Sequence, residues 1–184
     1  MKKRIAGAAI AAAALAVAPA VHAHGADTHG KPKVKHHKAN LDPVEKAFGR
    51  TGDPAKVART IAIHGTDNMK YSPKVIKVKQ GETIRFVVGN KGKLMHETVL
   101  GTMDELKEHA EWMKKNPGME HEEPYMTHIG PGETGEIIWQ FTNAGEFHFA
   151  CLIPGHFEGG MVGKIVVQQD VASEMSRQEK GVIR

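Results

Sequence analysis

From Arg59 onward the chain alternates short apolar runs with turn residues. The runs "RTIAIHG", "KVIKVK", "TIRFVVGN", "EIIWQF", "EFHFAC" and "VGKIVVQ" are rich in β-branched and aromatic residues, and each is bounded by Gly, Pro, Asn or charged positions. Several place apolar residues at every second position, which is the period of a half-buried strand. Their recurrence over residues 59–168 predicts an all-β fold, an antiparallel sandwich or barrel. Gly-Glu-Thr occurs at 81–83 and again at 132–134, each time opening a run. That repetition reads as shared turn chemistry rather than a duplicated unit.

One stretch departs from the strand period. Thr102-Met103-Asp104-Glu105 has the form of a capping box, and Met103, Leu106, Ala110 and Met113 then fall on one helical face until Asn116-Pro117-Gly118 stops it. A helical insertion is therefore expected at about residues 102–128. Residues 24–58 are polar and carry His24, His29, His36 and His37 among lysines, which predicts a disordered arm with a short helix near residues 43–48. Residues 169–184 form a tail with no evident chemistry.

The start of the chain narrows the setting. Lys2-Lys3-Arg4 precedes an apolar run from Ile5 to Val17 and a small-residue site, Val21-His22-Ala23. This is the pattern of a secretory signal peptide over residues 1–23, and the run is shorter than the roughly 20 apolar residues of a membrane span. Export to the periplasm without a membrane anchor is expected, with a mature chain beginning at His24. Removing Lys2, Lys3 and Arg4 lowers the formal net charge of +4 to +1, so no basic face argues for nucleic acid. The remaining length suits one domain, expected to be a monomer.

The single cysteine then becomes informative. An exported protein ordinarily pairs its cysteines, and one thiol cannot form an internal disulfide. Cys151 is followed by His156 and Met161, a C-x4-H-x4-M spacing with Pro154-Gly155 as the turn between thiol and imidazole. Thiolate and imidazole suit copper, and two His, one Cys and a weak axial Met make a mononuclear electron-transfer centre. His96, at the mouth of a loop between two predicted strands, is the candidate for the second imidazole. Pro154 has no N–H, which removes one potential donor to the sulfur.

The segments "GTDNMKYSPKVIKVKQGETIRFVVGNKGKLMHE" and "GEFHFACLIPGHFEGGMVGKIVV" resemble the cupredoxins, the Greek-key blue-copper sandwiches that include plastocyanin and azurin. The likeness covers residues 59–168, and the insertion and His-bearing arm are most similar to periplasmic copper-tolerance cupredoxins of the CopI type. The resemblance implies one type 1 copper, with His96, Cys151 and His156 in the trigonal plane and Met161 axial. Two positions depart from the family's habit: Met95 stands where azurin has a glycine, and Glu97 where Asn or Asp is common.

Other donors lie outside that set. In extended chain, residues i and i+2 share a face, so Met119 with His121, and Met126 with His128, are candidate auxiliary copper ligands. His24 and His29 are further candidates, because a terminal amine at His24 would chelate copper(II) together with its imidazole. His148 is expected at the surface or in a second layer, and Met103 and Met113 as core filling. The reading is a copper-handling protein with one-electron chemistry; the alternative is a soluble electron carrier docking on a redox partner. An enzyme is not expected, because Cys151 is flanked by Ala150 and Leu152 rather than by the His-Cys-His cluster of multicopper oxidases.

Overall fold

A computed structural model describes residues 34–35, 42–119 and 121–169. In chain order the strands are β1 (Val34–Lys35), β2 (Glu45–Lys46), β3 (Gly49–Thr51), β4 (Arg59–Thr66), β5 (Lys70–Ser72), β6 (Val75–Lys79), β7 (Thr83–Asn90) and β8 (His96–Gly101). Helix α1 (Met103–Lys115) follows, and then β9 (Met126–Ile129), β10 (Thr134–Gln140), β11 (Gly145–Ala150) and β12 (Val162–Gln168). Two sheets result. One runs β2-β3-β10-β7-β4-β5, with β1 also on β10; the other runs β6-β12-β11-β8-β9. The pairs β4 with β7, β6 with β12 and β1 with β10 are parallel, and the remaining pairs are antiparallel.

The apolar runs build the layer between the sheets. Ile63, Ile84, Phe86, Ile137, Trp139, Phe141, Phe149 and Ile165 are each wholly buried. The two Gly-Glu-Thr turns behave alike: Gly81 and Gly132 take φ of 86° and 71°, a left-handed conformation that glycine reaches without a Cβ clash. Helix α1 carries the expected capping box, in which Thr102 Oγ1 accepts from the Glu105 N–H and the Glu105 carboxylate accepts from the Thr102 N–H. Leu106, Ala110 and Met113 are its buried face, whereas Met103 is only half buried.

This face forms a second, smaller core with Val99, Met126, Ala150 and Leu152, and Phe157 packs against it. The helix thus rests on the chain that follows Cys151. Lys114 adds an ion pair of 2.6 Å to Glu158. Among the described residues, no helix is long and apolar enough to cross a membrane.

Three expectations differ from the fold. The flexible arm does not reach residue 58, and residues 43–48 are not helical: β2 and β3 pair with each other, and β3 pairs with β10. Phe48 is 1% exposed and stacks on Trp139 at a ring-centroid distance of 5.0 Å, while the Trp139 indole N–H donates to the Phe48 carbonyl at 3.3 Å. One aromatic anchor in a polar stretch outweighs local composition, because burying a full ring stabilises by roughly 1.5–3 kcal/mol. The insertion also ends early, since Met126–Ile129 is a strand paired with β8.

Phe48→Ala should therefore lower the unfolding free energy by about 3 kcal/mol or more in urea denaturation. A loss below about 0.5 kcal/mol, as for an exposed arm, would contradict this packing.

Candidate metal centre

Cys151 follows the last residue of β11, His96 opens β8, and those two strands are antiparallel neighbours with Ala150 opposite Val99. This pairing brings the thiol to the start of β8, where the Glu97 N–H donates to Cys151 Sγ at 3.3 Å. After Cys151 the chain turns through Pro154 and Gly155, the latter at φ 88°, and the His156 N–H donates to the Ile153 carbonyl at 2.9 Å. That tight turn sets His156 Nδ1 3.2 Å from Cys151 Sγ. The ligand atoms of His96, Cys151 and His156 all lie within 4.8 Å of one another, and the His96 and His156 ring centroids are 5.2 Å apart.

Met161 closes the loop. Its N–H donates to the His156 carbonyl at 3.0 Å, and its carbonyl accepts from the Cys151 N–H at 3.1 Å. The side chain is wholly buried. Gly65, in β4, explains how the thioether fits. A Cβ there would stand 2.9 Å from Met161 Cε and 3.6 Å from His96 Cδ2, so any side chain at residue 65 would push the thioether methyl from its place.

Each imidazole keeps a nitrogen for a metal. His96 Nε2 lies 3.2 Å from Asp67 Oδ1, which leaves Nδ1 buried and without a hydrogen-bond partner. A carboxylate on the far nitrogen of a histidine fixes its tautomer and raises its basicity as a ligand. Asp67 also accepts from the Lys93 N–H at 2.7 Å and the Leu94 N–H at 3.2 Å, tying down the loop that delivers His96. Those bonds, led by the Lys93 N–H, hold its carboxyl below the usual range. Sequence reasoning missed Asp67; its signal was an acidic residue in the tight turn "GTDNMK", which shows no relation to His96 until the fold is known.

The donor set fits a soft or borderline cation. Burial pushes the Cys151 thiol up to about 12, so the metal-free protein carries S–H at neutral pH and a metal must displace that proton. Burial, and then the neighbouring His96, hold His156 below its usual range, which keeps it neutral. Glu97 occupies the position where the family commonly has Asn or Asp. Its side chain is wholly buried with His128 Nε2 3.6 Å away, and burial raises its carboxyl to about 7. The bond to sulfur comes from its backbone, and the Tyr71 hydroxyl donates to its carbonyl, so the link between the ligand segments does not depend on the side chain.

The sequence pattern of the copper binding proteins of the plastocyanin/azurin family matches residues 57–168. The chain belongs to that family. Its cofactor is accordingly copper. It is 45% identical over 168 residues to the copper-resistant cuproprotein CopI of Rubrivivax gelatinosus, covering 91% of this chain and 100% of that one. It is also 35% identical over 152 residues to the copper-resistant cuproprotein CopI of Pseudomonas aeruginosa, covering 67% and 83%. Among solved structures, reduced auracyanin from Roseiflexus castenholzii superposes with a TM-score of 0.53 at 25% identity, over 60% of this chain and 98% of that one.

The family match leaves the outlying donors to be placed one by one. Met126 is wholly buried in the helix core, so the expected Met126/His128 pair is corrected: the thioether is packing, and only His128 is partly accessible. Met119 is 49% exposed and His121 half buried, with His121 facing the helix. His148 sits half buried in β11. His24 and His29 lie outside the described residues.

Asp67→Ala should weaken copper binding roughly 10- to 100-fold in a competition titration. Asp67→Asn, which retains an acceptor for the His96 N–H, should lose less; equal losses, or none, would deny Asp67 its orienting role.

Proposed function

We propose that this protein binds copper in the periplasm through a type 1 centre made by His96, Cys151, His156 and Met161, and protects the cell against copper. The observation that carries the assignment is the convergence of three ligand atoms within 4.8 Å, one of them the sole thiol of the chain. The buried Met161 beside them supports the axial role. Location in the periplasm is supported by the leader-like residues 1–23, and the protective role by relatives named as copper-resistant cuproproteins. All four proposed ligands belong to one chain, so the centre needs no residue from a second copy.

Copper held there would pass a single electron between its +1 and +2 states. The residues serve that chemistry by resisting rearrangement. β8 and β11 fix His96 and Cys151 through sheet hydrogen bonds, while helix α1 braces the loop through Leu152, Phe157 and the Lys114–Glu158 pair. A site that cannot relax toward either oxidation state lowers the reorganisation needed to change between them. His156, half buried at the tip of its loop, is the ligand through which a redox partner would make contact. Electron transfer is thus the chemistry of the site, and a dedicated carrier role is the second reading. Deleting the gene should lower copper tolerance with respiration intact if protection is the cellular role; the reverse pattern would favour the carrier.

Cys151→Ser should abolish the sulfur-to-copper charge-transfer band of the copper(II) protein. Persistence of that band would overturn the ligand assignment. Gly65→Ala should displace the Met161 methyl, altering the absorption ratio and reduction potential at a stability cost below about 1 kcal/mol, because the obstructing atom ends a flexible side chain. An unchanged spectrum and potential would remove Met161 from the centre.

A further inference from the structure

A second meeting of imidazoles lies on the insertion. Helix α1, the segment after it and the β2–β3 edge enclose an open cavity of 430 Å³ whose lining includes His109, Trp112, His121, Tyr125, Phe48 and Lys46. His109 projects from the helix, with Trp112 three residues on. His121 enters from the chain beyond the Pro117-Gly118 stop. Their ring centroids are 4.9 Å apart with planes inclined by 42°, and Trp112 stands 6.2 Å from His109 and 6.0 Å from His121, edge-on to both.

The polar accounting is incomplete there. His121 Nδ1 is buried and has no hydrogen-bond partner, a condition native structures rarely leave uncompensated. Burial, and then the nearby His121, His128 and Lys46, keep His109 below its ordinary range, so it offers a lone pair at neutral pH. Among the described residues, no third His, Cys, Asp or Glu ligand atom joins this pair in a compact group. Two acids line the cavity wall: Glu105 is held by the helix cap, where its carboxylate accepts from Thr102 Oγ1 at 2.7 Å, and Glu108 is exposed and joins no such group.

Donor number selects the ion. Zinc in a structural site takes four ligands, and copper(II) prefers a tetragonal N,O set. Copper(I) is soft, has a filled d shell and accepts two or three donors. Met119, two residues before His121 and exposed, offers the thioether that copper(I) favours.

We propose that His109 and His121, joined by Met119 and bordered by Trp112, form a second copper site that takes copper(I), separate from the Cys151 centre. Its use in protection rests on the resistance reading above; its existence does not.

The test is anaerobic titration of the purified protein with copper(I) against a chromogenic competitor, following Trp fluorescence. In Cys151→Ser, which removes the thiolate, copper(I) should still bind and quench the Trp112 emission. His109→Ala and His121→Ala in that background should each weaken this binding at least tenfold and lose the quenching. In the otherwise native protein the same two substitutions should leave the copper(II)–thiolate band intact, which also shows that the variants fold. Trp112→Phe should remove the quenching, since the other tryptophan, Trp139, is sealed in the main core. Unchanged binding in both histidine variants, or quenching that survives Trp112→Phe, would overturn the proposal. Loss of the Cys151 assignment would show instead in the charge-transfer band, independently of these results.

Discussion

The antiparallel pairing of β8 with β11 is the constraint on which the site depends. It joins residues more than fifty positions apart and sets the backbone N–H of Glu97 on the Cys151 sulfur. A slip of one residue in that register would turn His96 and Cys151 to opposite faces of the sheet, because side chains alternate along a strand. The register is held by burial: every residue of β8 is buried, and Phe149 and Ala150 of β11 are wholly so. The hydrophobic layer therefore does more than stabilise the sandwich. It fixes the distance between an imidazole and a thiol that have no sequence proximity to hold them.

A second layer of support is local to this chain. Helix α1 interrupts the sandwich between β8 and β9, yet its apolar face returns to the ligand loop through Ala150, Leu152 and Phe157. On the opposite side Asp67 binds both the loop before His96 and the imidazole itself. The metal-binding end is thus held from three directions: the sheet behind, the helix on one flank and the β4–β5 turn on the other. The thiol so enclosed stays protonated without metal, and its burial protects it from the oxidation that an exposed thiolate invites.

Much of this was legible in the sequence, and the reason is periodicity. The runs at β4, β6, β7, β10, β11 and β12 carry enough β-branched and aromatic residues for their pattern to survive averaging, and the capping box of α1 is a local signal. Cys151, His156 and Met161 share one short loop, so their spacing carried its own geometry. What stayed hidden is non-local. Phe48 is a lone aromatic in polar chain, at the turn between β2 and β3, and its contacts with Trp139, Tyr125 and Phe147 are what tie that segment to the core. Met126 looked like half of a Met-x-His pair because sequence does not reveal which face of β9 the helix covers. Asp67 and His109 gain their roles from His96 and His121, partners that no spacing rule connects to them.

The central claim is that one sulfur from Cys151 and two imidazole nitrogens surround a single copper. X-ray absorption at the copper edge, on protein loaded with one equivalent of copper(II), reads that first shell directly. One short copper–sulfur distance is expected, together with two nitrogen neighbours showing the outer-shell scattering of imidazole. A shell made of nitrogen and oxygen alone would contradict it.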